Sequence, residues 1–147
     1  MDLKIKQLHS KATIPSKATS YSVGYDLYAC LDSKVTIKPG KTVKIGTGIS
    51  IEVSEKNVGG FIFARSGLAT NYGVIPVNCV GVIDNDYRGE IIVALKNTSC
   101  LDYEILNGDR IAQIVFLPVV NFENIIMVDN LSSSDRGNGG FGSTGKN

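Results

Sequence analysis

From Val43 to Val53 the chain alternates. Val43, Ile45, Thr47, Ile49, Ile51 and Val53 are followed in turn by Lys44, Gly46, Gly48, Ser50, Glu52 and Ser54. A period of two sends one set of side chains to a single face, which predicts a half-buried β-strand over this stretch. "EIIVALKN" (Glu90 to Asn97) and "RIAQIVFLPV" (Arg110 to Val119) are apolar on both faces and predict central strands. "GGFIFA" and "NIIMVD" predict further strands. Between these runs lie "KPGK", "KNVGG", "DNDYRG" and "LNGD", whose Gly, Pro, Asn and Asp residues are turn chemistry.

Helical period is missing from every long segment. The one helix candidate is "SGLATNY", Ser66 to Tyr72, with Ser66 as its expected N-cap. Many short strands with one short helix predict an all-β barrel or double-sheet sandwich. The pattern changes only at the end, from about Leu131, where "LSSSDRGNGGFGSTGKN" begins. Glycine at that density cannot hold a core, so residues 131–147 are expected to form a flexible arm behind a β domain of residues 1–130.

Composition narrows the function classes. The chain has 147 residues, enough for one modest core. A formal net charge of +1 gives no broad electrostatic footprint for nucleic acid. The cysteines are Cys30, Cys79 and Cys100, without a CxxC, so neither a disulfide framework nor a zinc site is expected and a cytoplasmic setting is the simplest. "MDLKIKQLHS" lacks the apolar region of a signal peptide, and no apolar run reaches membrane-spanning length, so no membrane partner is expected. His9 is the only histidine, which leaves little support for Ser-His-Asp catalysis or a His-rich metal site.

Five stretches carry candidate chemistry, and each also has a plain structural reading. In "ARSGLA", Ser66 and Gly67 open the helix, where free N–H groups favour an anion, and Arg65 adds a permanent charge. A capped helix beside a surface arginine explains the same residues. In "GVIDNDYRGEI" a strand, a polar turn and a returning strand form a hairpin. Asp84 just after the first strand is placed to accept a proton from an attacking water, and Tyr87 to lay its ring under a sugar. Ordinary turn chemistry explains Asp84 equally. In "GYDLYA", Asp26 is a carboxylate for water around Mg²⁺, or simply a solvated acid. In "GDRIAQIVF", Gln113 shares a strand face with Ile111, Val115 and Leu117 and needs a partner, a phosphate oxygen or a backbone carbonyl. Arg110 faces the other way and is expected to pair with an acid. In the arm, Arg136 suits a terminal phosphate, Phe141 suits base stacking, and Ser143, Thr144 and the glycines suit anion wrapping. A plain disordered terminus has the same composition.

Taken in order, "GYDLYA", "RSGLA", "GVIDNDYRG", "GDRIAQ" and "RGNGGFGSTG" resemble the five motifs of the trimeric deoxyuridine triphosphatase family and span residues 24 to 145. The resemblance implies a jelly-roll-like β fold and a homotrimer whose sites are shared among subunits. It implies hydrolysis of dUTP to dUMP and pyrophosphate with Mg²⁺. That reaction limits uracil incorporation into DNA and supplies dUMP for thymidylate synthesis. By matching motif, Asp84 is the implied base that orients water toward the α-phosphorus. Asn78, Val82, Ile83 and Ile92 are the implied readers of uracil, and Tyr87 packs on deoxyribose. Arg65, Ser66, Gly67 and Gln113 are implied to bind phosphates, and Asp26 to hold metal-bound water. Arg136, Phe141, Gly142, Ser143 and Thr144 form the implied lid. Ala64 stands where proline is common in the family, and Val23 where alanine is common. Two other readings stay open: a dCTP deaminase or bifunctional deaminase-triphosphatase on the same fold, and a non-catalytic nucleotide-sensing interaction protein.

Overall fold

The structure is a computed structural model, and it describes residues 1–140. The elements in chain order are β1 (Leu3–Gln7), β2 (Tyr25–Tyr28), β3 (Val35–Ile37), β4 (Thr42–Gly46), β5 (Ile49–Val53), β6 (Val58–Phe63), α1 (Ser66–Tyr72), β7 (Val74–Pro76), β8 (Gly81–Ile83), β9 (Ile92–Asn97), β10 (Tyr103–Ile105) and β11 (Arg110–Pro118). They form a four-stranded sheet in the order β2-β11-β6-β8, a three-stranded sheet β4-β9-β7, and the pairs β1-β5 and β3-β10. All pairings are antiparallel. The architecture is all-β and jelly-roll-like, with one short helix, as expected. The sheets do not close into a continuous barrel.

The core lies between these sheets. Leu27, Ile62 and Ile114 come from the four-stranded sheet, Ile45, Val93 and Leu95 from the three-stranded one, and Leu68 from the inner side of α1. Each fully buried aliphatic side chain contributes on the order of 1.5–3 kcal/mol from apolar burial. The two runs expected to be central, β9 and β11, do lie between neighbours in their sheets. Buried Asn97 is fully bonded: its amide donates to the Ile37 and Leu101 carbonyls at 2.8 and 2.7 Å and accepts from the Ser99 N–H and hydroxyl.

Several expectations fail for local reasons. The stretch from Val43 to Val53 is two strands, because Gly48 turns the chain at φ +67° and moves it from the β4-β9 pairing to the β1-β5 pairing. Alternation survives such a corner, so the pattern alone does not reveal it. Gly59 and Gly60 lie inside β6, as "GGFIFA" predicts, and not in the turn that "KNVGG" suggests. A Cβ on Gly60 would come within 3.1 Å of Ile114 and 3.3 Å of Ile83, so glycine is set by strand packing there. "NIIMVD" forms no strand: among the described residues the last strand ends at Pro118, and Ile125 and Met127 are 97% and 98% exposed. An apolar run specifies a strand only when an edge is available to pair it. Ser66 is the first residue of α1 and not its cap. Arg65 holds the cap position in extended conformation, and no side chain caps the first turn. Finally, a register irregularity between Arg110 and Ala112 breaks the face expected for Gln113. Ile111, Ala112 and Ile114 are all buried while Gln113 is half-buried.

Candidate active site

The candidate residues gather in two places on the chain. The first is the turn between β8 and β9, whose limbs do not pair with each other as the sequence predicts: β8 lies beside β6 and β9 beside β4 and β7, so this hairpin bridges two sheets. Val82, Ile83, Asp84, Tyr87, Glu90 and Ile92 line a pocket of about 150 Å³. Val82 and Ile92 are 61% and 49% exposed, apolar side chains that the chain itself leaves uncovered. Asn78 lies at the foot of the hairpin, its amide nitrogen 3.4 Å from where a Cβ on Gly81 would stand. The Asp84 carboxylate is exposed at the rim. Its backbone carbonyl accepts the Tyr87 N–H at 3.1 Å, which closes the turn.

The hairpin is held from outside on both limbs. Asn85 donates its amide hydrogens to the Glu55 and Val58 carbonyls at 2.7 and 3.1 Å. On the returning limb the Ile91 N–H bonds the Ile49 carbonyl, and the Thr47 N–H and hydroxyl both bond the Ile91 carbonyl. The Gly48 N–H donates to Glu90 Oε1 at 2.8 Å. Glu90 was not among the sequence-derived candidates. Its only signal was adjacency to "DYRG".

The second place is a cleft of about 310 Å³ lined by Ala18, Ser22, Val23, Gly24, Asp26, Arg65, Ser66 and Gln113. Asp26, on β2, takes Arg65 Nε on one carboxylate oxygen at 2.8 Å and Arg110 on the other at 3.3 Å. The expected acid partner of Arg110 is therefore Asp26. The Asp26 side chain is only 13% exposed, so this charge is held by its two guanidinium partners rather than by water. Gln113 Nε2 donates to the Ala64 carbonyl at 2.9 Å, which resolves its partner as backbone and ties down the segment leading into α1. A side chain on Gly24 would collide with the Gln113 amide oxygen. Gly67 has open space around it, and the uncapped first turn of α1 keeps its N–H groups free.

The donor set bears on metal binding. Among the described residues, no three His, Cys, Asp or Glu side chains come together to cage a metal. Asp26 is the one carboxylate in the cleft, and both its oxygens already accept from arginine. These residues fit a hydrated Mg²⁺ that arrives on phosphates, with Asp26 as an outer acceptor, and do not fit a resident ion. Of the arm, Arg136 is described: it donates to the Gly139 carbonyl at 2.9 Å within a local turn. Phe141, Gly142, Ser143 and Thr144 lie outside the described residues.

The two places do not meet on one chain. Asp26 is level with Gln113 on β11 and Phe63 on β6, whereas Ile83 on β8 is level with Gly60. Asp26 and Asp84 thus belong to opposite edges of the four-stranded sheet and are also offset along it. At ~4.8 Å per strand and ~3.4 Å per residue they are about 20 Å apart.

Residues 10–145 match the family dUTPase. The chain belongs to the dUTPase family. The match covers every candidate from Asp26 to Thr144. The chain is 53% identical over 132 residues to a deoxyuridine 5'-triphosphate nucleotidohydrolase of Desulfitobacterium hafniense, covering 90% of this chain and 87% of that one. Among solved structures, it superimposes on the dUTPase of Staphylococcus bacteriophage 80alpha with dUPNHPP at a TM-score of 0.88 and 26% identity, covering 98% of each chain. A mutant dUTPase of Staphylococcus aureus phage phi11, with a coordinated structural Mg(II) ion, shares the fold at a TM-score of 0.81 and 21% identity, over 90% of this chain and 100% of that one. Among the described residues no helix is long and apolar enough to cross a membrane.

Proposed function

We propose that this dUTPase hydrolyses dUTP to dUMP and pyrophosphate at sites shared between copies of the chain. The observation that carries the reading is the hairpin pocket with an exposed carboxylate on its rim, about 20 Å from the cationic cleft of the same chain. A nucleobase seated in the pocket puts its sugar against Tyr87 and its α-phosphate near Asp84. The triphosphate then needs a cationic cleft that its own chain holds too far away. A neighbouring copy supplies Arg65, the first turn of α1 and Gln113.

The uncovered segment from β11 to the start of the arm supports a trimer in the same way. Phe122, Ile125, Ile126, Met127 and Leu131 are each more than three-quarters exposed, which suits burial against another subunit. Asp84 accepts a hydrogen bond from the attacking water and aligns it for displacement at the α-phosphorus. Asn78, Val82, Ile83 and Ile92 leave a small, edge-reading space for uracil. Arg65 must leave Asp26, at least in part, to engage a phosphate. Asp26 would hold water around a Mg²⁺ carried by the phosphates, which when bound would supply charge compensation for the triphosphate. Arg136, Phe141, Gly142, Ser143 and Thr144 form the lid. Ordering ten residues costs on the order of 10 kcal/mol or more, so closure needs both base and phosphate contacts.

Pyrophosphate release with Mg²⁺ from dUTP, dCTP, dTTP and UTP, assayed side by side, tests this reading. Release from dUTP alone is expected. Ammonia release from dCTP would instead establish deaminase chemistry, and no turnover of any substrate by the folded trimer would favour a binding role.

A further inference from the structure

Tyr87 does not stand freely in its pocket. Its ring folds back over Gly89, where any Cβ would collide with the phenol, and its hydroxyl donates to the Glu90 carbonyl at 3.0 Å. The position of Tyr87 therefore depends on where the backbone of residues 89 and 90 is held. Glu90 is fixed by its own side chain: Oε1 accepts the Gly48 N–H at 2.8 Å across 42 residues of sequence. Gly46 is closed around the same carboxylate, because a Cβ there would press on Glu90 Oε1. Thr47 and Ile49 hold the neighbouring Ile91 from the same corner. The corner between β4 and β5 is thus bolted to the limb that carries the sugar-facing ring.

We infer that Glu90 is a positioning residue that sets the preference for deoxyribose over ribose, acting through Tyr87. The inference rests on the dUTP reading above. A 2′-hydroxyl adds one oxygen to the sugar, and a ring excludes it only if the ring cannot retreat. Tyr87 cannot retreat while its hydroxyl is held on the Glu90 carbonyl and the Glu90 side chain is anchored to the Gly48 N–H. The contribution of Glu90 is an acceptor oxygen at a fixed place, not its charge, so glutamine serves and alanine does not.

The test is calorimetric binding of the non-hydrolysable imido analogues of dUTP and UTP to the full-length protein, with dUTP turnover measured alongside. Glu90→Ala is expected to cut the deoxy-to-ribo binding ratio by about tenfold, within the range for losing one shape contact. Glu90→Gln is expected to restore the ratio to within about twofold of wild type, since its amide oxygen still accepts from Gly48. Gly89→Ala, which displaces the ring without touching the Gly48 bond, should lower the ratio even if Glu90→Ala does not fold. An unchanged ratio in a folded Glu90→Ala overturns the inference. So does Glu90→Gln behaving like alanine, which would make the charge the acting feature. No dUTP turnover by wild type would sink the dUTPase reading itself while leaving the binding ratio measurable.

Discussion

The hairpin pocket and the cationic cleft are built on different principles. The hairpin is held by bonds to neutral groups: Asn85 to two carbonyls, Thr47 to a third, and the Arg88 guanidinium to the Asn85 and Tyr87 carbonyls. Charged acceptors enter through the Gly48–Glu90 contact and a looser pairing of Arg88 with Glu52 at 3.9 Å. None of these contacts has to open for a base to enter. The cleft is held by ion pairing, with Asp26 engaged by Arg65 and Arg110. A phosphate entering it must take Arg65 away from a carboxylate that has little water of its own. On the proposed reading the hairpin is a preformed shape for a small neutral ring, and the cleft is a balanced charge cluster that yields to a stronger anion. Selectivity for the base and demand for the triphosphate would then have separate origins.

The largest expected effect falls on the hairpin side. Asp84→Asn keeps the shape of the turn and removes the proton acceptor, so turnover should fall by about 10²–10⁴-fold with analogue binding mostly kept. Normal turnover in that variant would mean that the base lies elsewhere. Removing residues 136–147 comes next. It should abolish efficient turnover and leave the β core folded, because Leu95, Ile45 and the other core residues lie well upstream. A truncated protein with full activity would contradict the lid.

Arg65→Ala attacks the cleft and should lower kcat/KM by about tenfold to a hundredfold, the loss of one or two charge-assisted bonds to phosphate. Its sharper use is in combination. If hairpin and cleft meet only across a subunit boundary, each mixed ring of Asp84→Asn and Arg65→Ala chains contains one intact site. Random one-to-one trimers should then recover about a quarter of wild-type turnover, although each parent is impaired. Assembly from separately unfolded chains, followed by the pyrophosphate assay, decides it. A mixture no more active than the mean of its parents would place both halves of a site in one chain.

What the sequence disclosed follows the same division. The order of strand, turn and return strand was legible because it is local and lies within a dozen residues, but that the two limbs join different sheets instead of pairing with each other was not. α1 was legible to the residue. The pairing of Asp26 with Arg65 was not, because it joins positions 39 apart through strand neighbours that periodicity does not specify. The bolt from Gly48 to Glu90 was hidden for the same reason, and more so because Gly48 sits inside what looked like one unbroken strand. "NIIMVD" failed in the opposite direction. Its composition is that of a strand, but nothing among the described residues pairs it, and its apolar side chains stay exposed. Composition reports what a segment must bury, not against which molecule.

The smallest effect expected is also the most direct measure of the difference between the two regions. Salt screens attraction between charges and has little effect on an uncharged ring entering a preformed shape. The Debye length falls from ~10 Å at 0.1 M to ~3 Å at 1 M, and partly buried pairs are screened less than exposed ones. Asp26 is 13% exposed and Arg65 26%, so the pair resists salt better than a free phosphate approaching from solvent. Added salt should therefore weaken the incoming phosphate more than the Asp26–Arg65 pairing it must displace. Affinity for the imido analogue of dUTP should fall several-fold across that range, whereas affinity for uncharged deoxyuridine should change by less than about twofold. Arg65→Ala should flatten the first dependence and leave the second untouched. If deoxyuridine binding proved equally salt-sensitive, charge would be reaching into the hairpin, most directly through the Asp84 and Glu90 carboxylates, and the separation of shape from charge would fail.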